Sequence, residues 1–254
     1  MRYIVELLFY FLLYSLAGWV LESVLKTITQ KRFVNSGFLI GPFCPIYGAG
    51  AIVLITFFSK WKDNYFLIFL ASFFFLSVLE YFIGWYLETV FHTRYWDYSH
   101  HKWNYKGRVC LLHSTIWAIL GTLFLCFLHP KIIMLVSQLS DNILIYLTIL
   151  LSAYFLTDCM LSIVQVKKTR HKRKNVQEMR KILQEKTKQL EKLKKQRNSK
   201  QIEIGSLQKE IGELQLKQWK WEKSLKKRQE RLKRAFPNQY SIKKRISEKK
   251  SKPN

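Results

Sequence analysis

Gly84-Trp85-Tyr86-Leu87-Glu88-Thr89-Val90-Phe91 closes an apolar, aromatic run that begins at Tyr65, and its pattern stands 66 positions earlier as Gly18-Trp19-Val20-Leu21-Glu22-Ser23-Val24-Leu25. Each copy sets one carboxylate, Glu22 or Glu88, inside a stretch otherwise suited to lipid. At the same offset Gly41-Pro42-Phe43-Cys44 lies over Gly107-Arg108-Val109-Cys110, so the match takes in a helix end, a loop and the start of the next helix. The first half of the chain therefore reads as a duplication. Internal repeats with buried acids mark polar sites near the repeat interface in many membrane carriers. Chance matching between apolar, aromatic-rich helices is the plain alternative.

A span needs roughly 20 mainly apolar residues to cross about 30 Å of hydrocarbon. Five stretches qualify, near residues 3–25, 45–58, 65–91, 109–128 and 142–166. The second is short and the third is long enough to tilt. The expected fold is all-α: a polytopic membrane helix bundle of about five spans with a parallel internal repeat, followed by a long cytoplasmic coiled-coil helix. The first span has little basic n-region, carries Glu6 and Glu22 and runs into Lys26, Lys31 and Arg32, which argues for a permanent helix rather than a cleaved signal peptide. Lys and Arg set the orientation. With the N-terminus outside the cell membrane, the inner loops hold Lys26, Lys31 and Arg32, then Arg94, Lys102, Lys106 and Arg108, and the basic tail falls in the cytoplasm.

Charge divides the chain in two. Of 42 Lys and Arg, 31 lie in residues 167–254, where only 9 of the 17 acids are found. This gives a transmembrane domain over 1–166, a basic coiled coil over 167–236 and a disordered basic tail over 237–254. Cys44, Cys110, Cys126 and Cys159 imply no disulfide framework.

Four acids fall in the inner halves of the spans: Glu22, Glu80, Glu88 and Asp158. Each costs about 2.5–3.5 kcal/mol at the centre of an isolated span, so such residues face protein or a wet cavity. Glu80, Gly84 and Glu88 form one helical stripe, with Gly84 admitting a neighbouring backbone. These acids line a pathway for a cation, proton or polar head group, or else Glu22 and Glu88 simply pair with Arg32, Arg94 or Arg108. The first inner loop, Asn35-Ser36-Gly37-Phe38-Leu39-Ile40-Gly41-Pro42-Phe43-Cys44-Pro45-Ile46-Tyr47-Gly48, is rich in glycine and proline and reads as a shaped turn folding back into the bundle. The second carries Trp96, Asp97 and Tyr98, then Asn104, Gly107 and Arg108. Interfacial anchoring explains its aromatics, whereas Asp97, Asn104 and Arg108 suit a phosphate-bearing or amino head group.

On these motifs residues 1–165 resemble the CmpB-type family of ABC-transporter permeases: asparagine-35 to leucine-39 leading into Gly41-Pro42, Pro45-Ile46-Tyr47-Gly48, the Glu80/Gly84/Glu88 helix, and Trp96-Asp97-Tyr98-Ser99 leading to Asn104 and Gly107-Arg108-Val109-Cys110. Ser36 stands where the family pattern has arginine, and Tyr95 where it has a second tryptophan. The resemblance implies transport with a separate ATPase subunit and leaves the tail outside it.

No phosphate-binding Gly-x-x-x-x-Gly-Lys-Ser/Thr loop, Gly-x-Ser-x-Gly elbow or His-Glu-x-x-His motif occurs, so no catalytic residue or cofactor is assigned and the chain is not read as an enzyme. His92, His100, His101, His113 and Cys110 match no standard metal spacing.

In the tail, Val176 at heptad position a puts Leu183, Leu190, Ile204, Ile211, Leu225 and Leu232 in the same register, with Met179, Leu193, Leu207, Leu214, Trp221 and Ala235 at d; thirteen of eighteen seam positions are apolar, which defines a coiled coil. Either copies associate as a homo-oligomer, or the helix folds back near Asn198-Ser199 or Gly205. Lys167–Lys174 sits where anionic lipid attracts each cation by about 1 kcal/mol. Nucleic acid is disfavoured, because no recognition fold accompanies the charge. Three functions remain open: a permease-like subunit moving an unknown substrate, a membrane-anchored coiled-coil scaffold or sensor, and a membrane enzyme acting on a lipid head group.

Overall fold

Long unbroken apolar runs give long helices, and the computed structural model, which describes residues 2–91, 93–195, 201–235 and 240–241, is built almost wholly from them. Helix α1 covers Arg2–Gln30, α2 Pro45–Phe58, α3 Tyr65–Phe91, α4 Leu111–Leu123, α5 His129–Ser137, α6 Asp141–Lys195 and α7 Gln201–Ala235. Four helical stretches are long and apolar enough to cross a membrane: α1, α3, residues 111–137 and the apolar part of α6. The fifth, α2 with the 3₁₀ turn Ser59–Trp61, is apolar but shorter. The sequence ends the fourth span near residue 128, but the helix continues to Ser137. A π-helical stretch, Phe124–Leu128, passes the chain into α5, where Pro130 sits in the first turn and needs no donor.

Two compact units are present, residues 1–162 with 232–254, and residues 163–231. In the first, Phe66, Phe74 and Phe82 of α3 and Tyr146 and Leu150 of α6 are exposed. An apolar surface of this extent marks contact with lipid. Within the bundle, helices meet through small residues. A methyl group on Gly48 would strike Ser15 and Phe11 of α1, and one on Gly121 would strike Ser72 of α3. Close approach of this kind drives helix association where no hydrophobic effect operates. At one end Phe9, Tyr10, Tyr14, Leu54, Ile68, Leu125 and Leu144 form the apolar core. The other end carries the two long connections, residues 31–44 and 92–110.

Those connections are shaped differently. The first is irregular, turns at Gly37 with φ 88°, and leads through Cys44 into Pro45 at the start of α2. The second contains β1 (Thr93–Arg94) and a hairpin of β2 (Asn104–Tyr105) with β3 (Val109–Cys110). Its three-residue connection, Lys106–Arg108, has positive φ at both Lys106 and Gly107 and is closed by Arg108 N–H to the Tyr105 carbonyl at 3.1 Å, a mirror-image turn that suits the twist of strands. Strand β4 (Tyr240–Ser241) pairs antiparallel with β1. The rest of the tail expected over 237–254 lies outside the described residues, except those two.

In the second unit the apolar seam closes within one chain. Val176, Met179, Leu183, Ile211 and Leu225 are buried, with Leu190, Leu207, Leu214 and Trp221 packed against them. These are the a and d positions read from the sequence. Arg180–Glu222 and Lys186–Glu210 ion pairs fix the antiparallel pairing of α6 with α7. Within this one chain the seam is satisfied by fold-back. The turn expected near Asn198-Ser199 lies on residues 196–200, which are outside the described residues.

Candidate functional site

Helix α3 presents Glu80, Gly84 and Glu88 along one stripe, and all three meet the second connection. Glu88 lies between two guanidinium groups. Arg94 Nη2 donates to both its oxygens at 3.0 and 3.1 Å, and Arg108 donates from Nε at 2.9 Å and stands at 2.8 Å through Nη2. Gly84 faces the Trp96 ring, and the Trp96 indole donates to the Arg108 carbonyl at 2.9 Å. Arg94 continues to Asp97 at 3.2 Å, whose Oδ1 also accepts from Ser99 N–H and hydroxyl. Asn104 closes the hairpin, accepting from Gly107 N–H and donating to the His101 carbonyl. Glu88, Asp97, Asn104, Gly107 and Arg108 thus form a structural network, the ion-pair alternative for Glu88.

Asp158 holds the first connection. Its Oδ1 accepts from Gly41 N–H at 2.9 Å and Ile40 N–H at 3.2 Å, and Ser162 Oγ also accepts from Ile40 N–H at 3.0 Å. A side chain on Gly41 would press on Asp158 and Tyr154, which explains the glycine; Pro42 follows in the same turn. Asn35 braces the loop internally, accepting from the Trp19 indole and donating to the Ile40 carbonyl. Gly48 packs helices α1 and α2. Glu22 pairs with Lys26 at 2.5 Å rather than with Arg32, and accepts from Cys44 Sγ at 3.3 Å. Lys26 also donates to Ser36 at 2.9 Å.

Glu80 is different. Only 3% exposed, it accepts from the Tyr98 hydroxyl at 3.0 Å through Oε1. Trp117 of α4 stands beside the carboxylate. Oε2 is buried without a hydrogen-bond partner of normal geometry. Burial, then the nearby Glu80 charge, push the Tyr98 phenol above its ordinary range, so it remains a donor. Glu80 lies on the lining of two cavities. One, of about 710 Å³, opens toward the connections and is lined also by Glu22, Lys26, Gly37, Pro45, Tyr47, Trp96, Tyr98 and His113. The other, of about 380 Å³, reaches Tyr14, Gly18, Gly121 and Phe124. Tyr47 and Trp117, with ring centroids 5.3 Å apart, border both.

Seven of the residues singled out from sequence therefore share one chamber: Glu22, Gly37, Pro45, Tyr47, Glu80, Trp96 and Tyr98. The others hold the loops around it. Sequence reasoning missed Trp117, Lys26 and Ser162 as parts of this site, and missed Tyr14, whose hydroxyl lies 2.8 Å from Nδ1 of the buried His129. A histidine in an apolar run was the available signal for the last pair.

A membrane helix bundle with a partly open, mainly apolar cavity bordered by a buried acid is a class suited to transport. Residues 9–163 match the family model described as "Putative ABC-transporter type IV", and the chain belongs to that family. No curated protein and no solved structure matches it.

Proposed function

We propose that this chain is the membrane-embedded subunit of an ABC transporter that works with a separate ATPase, and that its substrate passes the Glu80 carboxylate. The observation that carries this reading is Glu80 itself, buried where two cavities meet with one oxygen unmatched. A buried acceptor left without a partner costs about 1–3 kcal/mol. Asp158 also keeps one buried oxygen, Oδ2, without a partner, but Glu80 combines this with a place on the lining of both cavities. A binding site accepts the cost, because the ligand offsets it.

In this reading the protein lies in the cell membrane with its N-terminus outside, as its loop charges direct. The two long connections then face the cytoplasm and offer the ATPase its docking surface. The shared order of a long helix, a loop and a cysteine-led second helix in α1–α2 and α3–α4 supports a parallel duplication. The hairpin is a basic coiled coil whose Lys167–Lys174 run meets anionic lipid; because its seam is closed within the chain, any homo-oligomer forms through other surfaces.

A second reading, a scaffold acting through the hairpin, draws on the basic outer face of α6 and α7, where Arg173, Arg180, Lys223 and Lys226 surround Trp219. One experiment separates the two. Full-length protein is gently solubilised, purified, and its companions identified by mass spectrometry, with Glu80→Gln in parallel. Recovery of an ATPase at stoichiometric level, whose activity is uncoupled by Glu80→Gln without loss of assembly, is the expected result. Absence of any ATPase, with partners lost on charge reversal at Arg173 and Lys223, overturns the transporter reading in favour of the scaffold.

A further inference from the structure

We infer that the Glu80 chamber takes an organic cation with an apolar, ring-sized body. The inference rests on the transporter reading for its purpose, while its chemistry comes from the walls of the chamber.

Size comes first. The larger cavity holds about 710 Å³ and adjoins the second, of about 380 Å³, at Glu80, Tyr47 and Trp117. Pockets of roughly 300–1,000 Å³ bury drug-sized molecules. A small inorganic cation instead asks for a close shell of about six or more oxygens, and rings and aliphatic side chains make up most of this wall.

Charge comes second. The lining of the larger cavity holds two carboxylates, Glu22 and Glu80, and one ammonium, Lys26. Lys26 is already committed to Glu22 at 2.5 Å and Ser36 at 2.9 Å. His113, the other basic side chain on the lining, has Nδ1 3.1 Å from Cys110 Sγ and its ring stacked on Tyr98 with centroids 4.1 Å apart. That leaves Glu80, whose Oε2 has no hydrogen-bond partner of normal geometry although the Trp117 side chain stands beside the carboxylate. Attraction between unit charges grows several-fold as the surroundings change from water to protein interior, so a cation gains most at this point. An anion would meet the Glu80 field and find Lys26 occupied. An acyl chain filling the space would leave Oε2 as it is.

The rings supply the third argument. Tyr47, Trp96, Trp117 and Tyr98 all border the chamber, and Tyr98 and Trp117 stand beside the acid. Aromatic faces attract cations, Trp most of all, and the attraction is larger where water is excluded. Rings with one carboxylate recognise a delocalised or alkylated cation without needing its donors.

The test uses full-length protein in nanodiscs, titrated with tetraphenylphosphonium and with tetraphenylborate, ions of nearly the same shape and opposite charge. Empty nanodiscs of the same lipid give the partition background. Saturable binding of the cation alone is expected, weakened about tenfold or more by Glu80→Gln and retained by Glu80→Asp. Trp117→Leu, which keeps the acid, should weaken it several-fold and carries the test if Glu80→Gln fails to assemble. Equal binding of both ions, no saturable binding above empty discs, or cation affinity unmoved by either variant overturns the inference. ATPase recovery is read on the same preparation. An ATPase without cation binding keeps the transporter reading and removes this substrate class, whereas Glu80-dependent cation binding without an ATPase does the reverse.

Discussion

Glu22 and Glu88 occupy matching places 66 positions apart, each one turn or two before the end of a long helix, yet their surroundings differ. Glu88 is held by two guanidinium groups with side chains only 10% and 14% exposed, whereas Glu22 has the ammonium one turn along its own helix and a thiol. The cause is the connection that follows. Residues 92–110 supply Arg94 and Arg108, while the position matching Arg108 in the first connection is Pro42. The same acid in the same helical place is thus structural in one half, and in the other it lines a cavity. The chemistry of a buried carboxylate is decided by what the next loop brings to it.

The largest expected effect breaks the structural member. Glu88→Gln takes the shared carboxylate from two largely buried arginines, leaving Arg94 with Asp97 and Arg108 with the Tyr81 hydroxyl, and removing one partner of such a pair costs about 3–5 kcal/mol. Thermal unfolding of the purified protein should move steeply downward, and the second connection should become protease-sensitive. If the melting temperature holds, the double clamp contributes little and Glu88 belongs with the cavity acids.

Asp158→Asn comes next and tests whether the first connection is fixed by α6. An amide oxygen still accepts, but the charge that draws both Ile40 and Gly41 N–H groups is lost, at about 1–3 kcal/mol. Amide exchange should quicken around residues 37–44 and leave residues 92–110 unchanged. Quickening in both connections would mean that they are one cooperative unit and that the comparison between them is too sharply drawn.

Much of this was legible beforehand, for reasons that differ from residue to residue. The spans were readable because lipid requires long apolar runs, and the hairpin seam because its apolar residues recur every seven. Glu80 stood out because an acid in such a run is costly. What could not be read was which acids are already paired, since that depends on Arg94, Arg108 and Lys26 arriving from elsewhere in the chain. The unequal roles of Glu80 and Glu88, eight residues apart on one stripe, are invisible to spacing. The extension of the fourth helix past Pro130 was hidden too, because a proline in a first helical turn and one that stops a helix look alike in sequence.

Gly107→Ala probes the second connection more gently. Gly107 has φ 66°, and a methyl group there would press on Asp97 and Arg94. A left-handed residue with a side chain costs about 1–2 kcal/mol. The melting temperature should fall by less than in Glu88→Gln, and the two changes should be strongly non-additive, because Gly107→Ala presses on the same Arg94 that Glu88→Gln leaves with Asp97 alone. Additive losses would separate the turn from the clamp.

Glu22→Gln should cost least, about 1 kcal/mol or less, because its pair with Lys26 lies within one helix and is partly open. Its value lies in function rather than stability. Freed from Glu22, the Lys26 ammonium faces the same chamber as Glu80 and becomes available to it. Cation binding should then weaken although the bundle is intact, and Lys26→Met in the same background should restore part of it by removing the competing charge. A Glu22→Gln protein that binds as before would show that Lys26 stays with Ser36, leaving Glu80 alone to set the charge of the chamber.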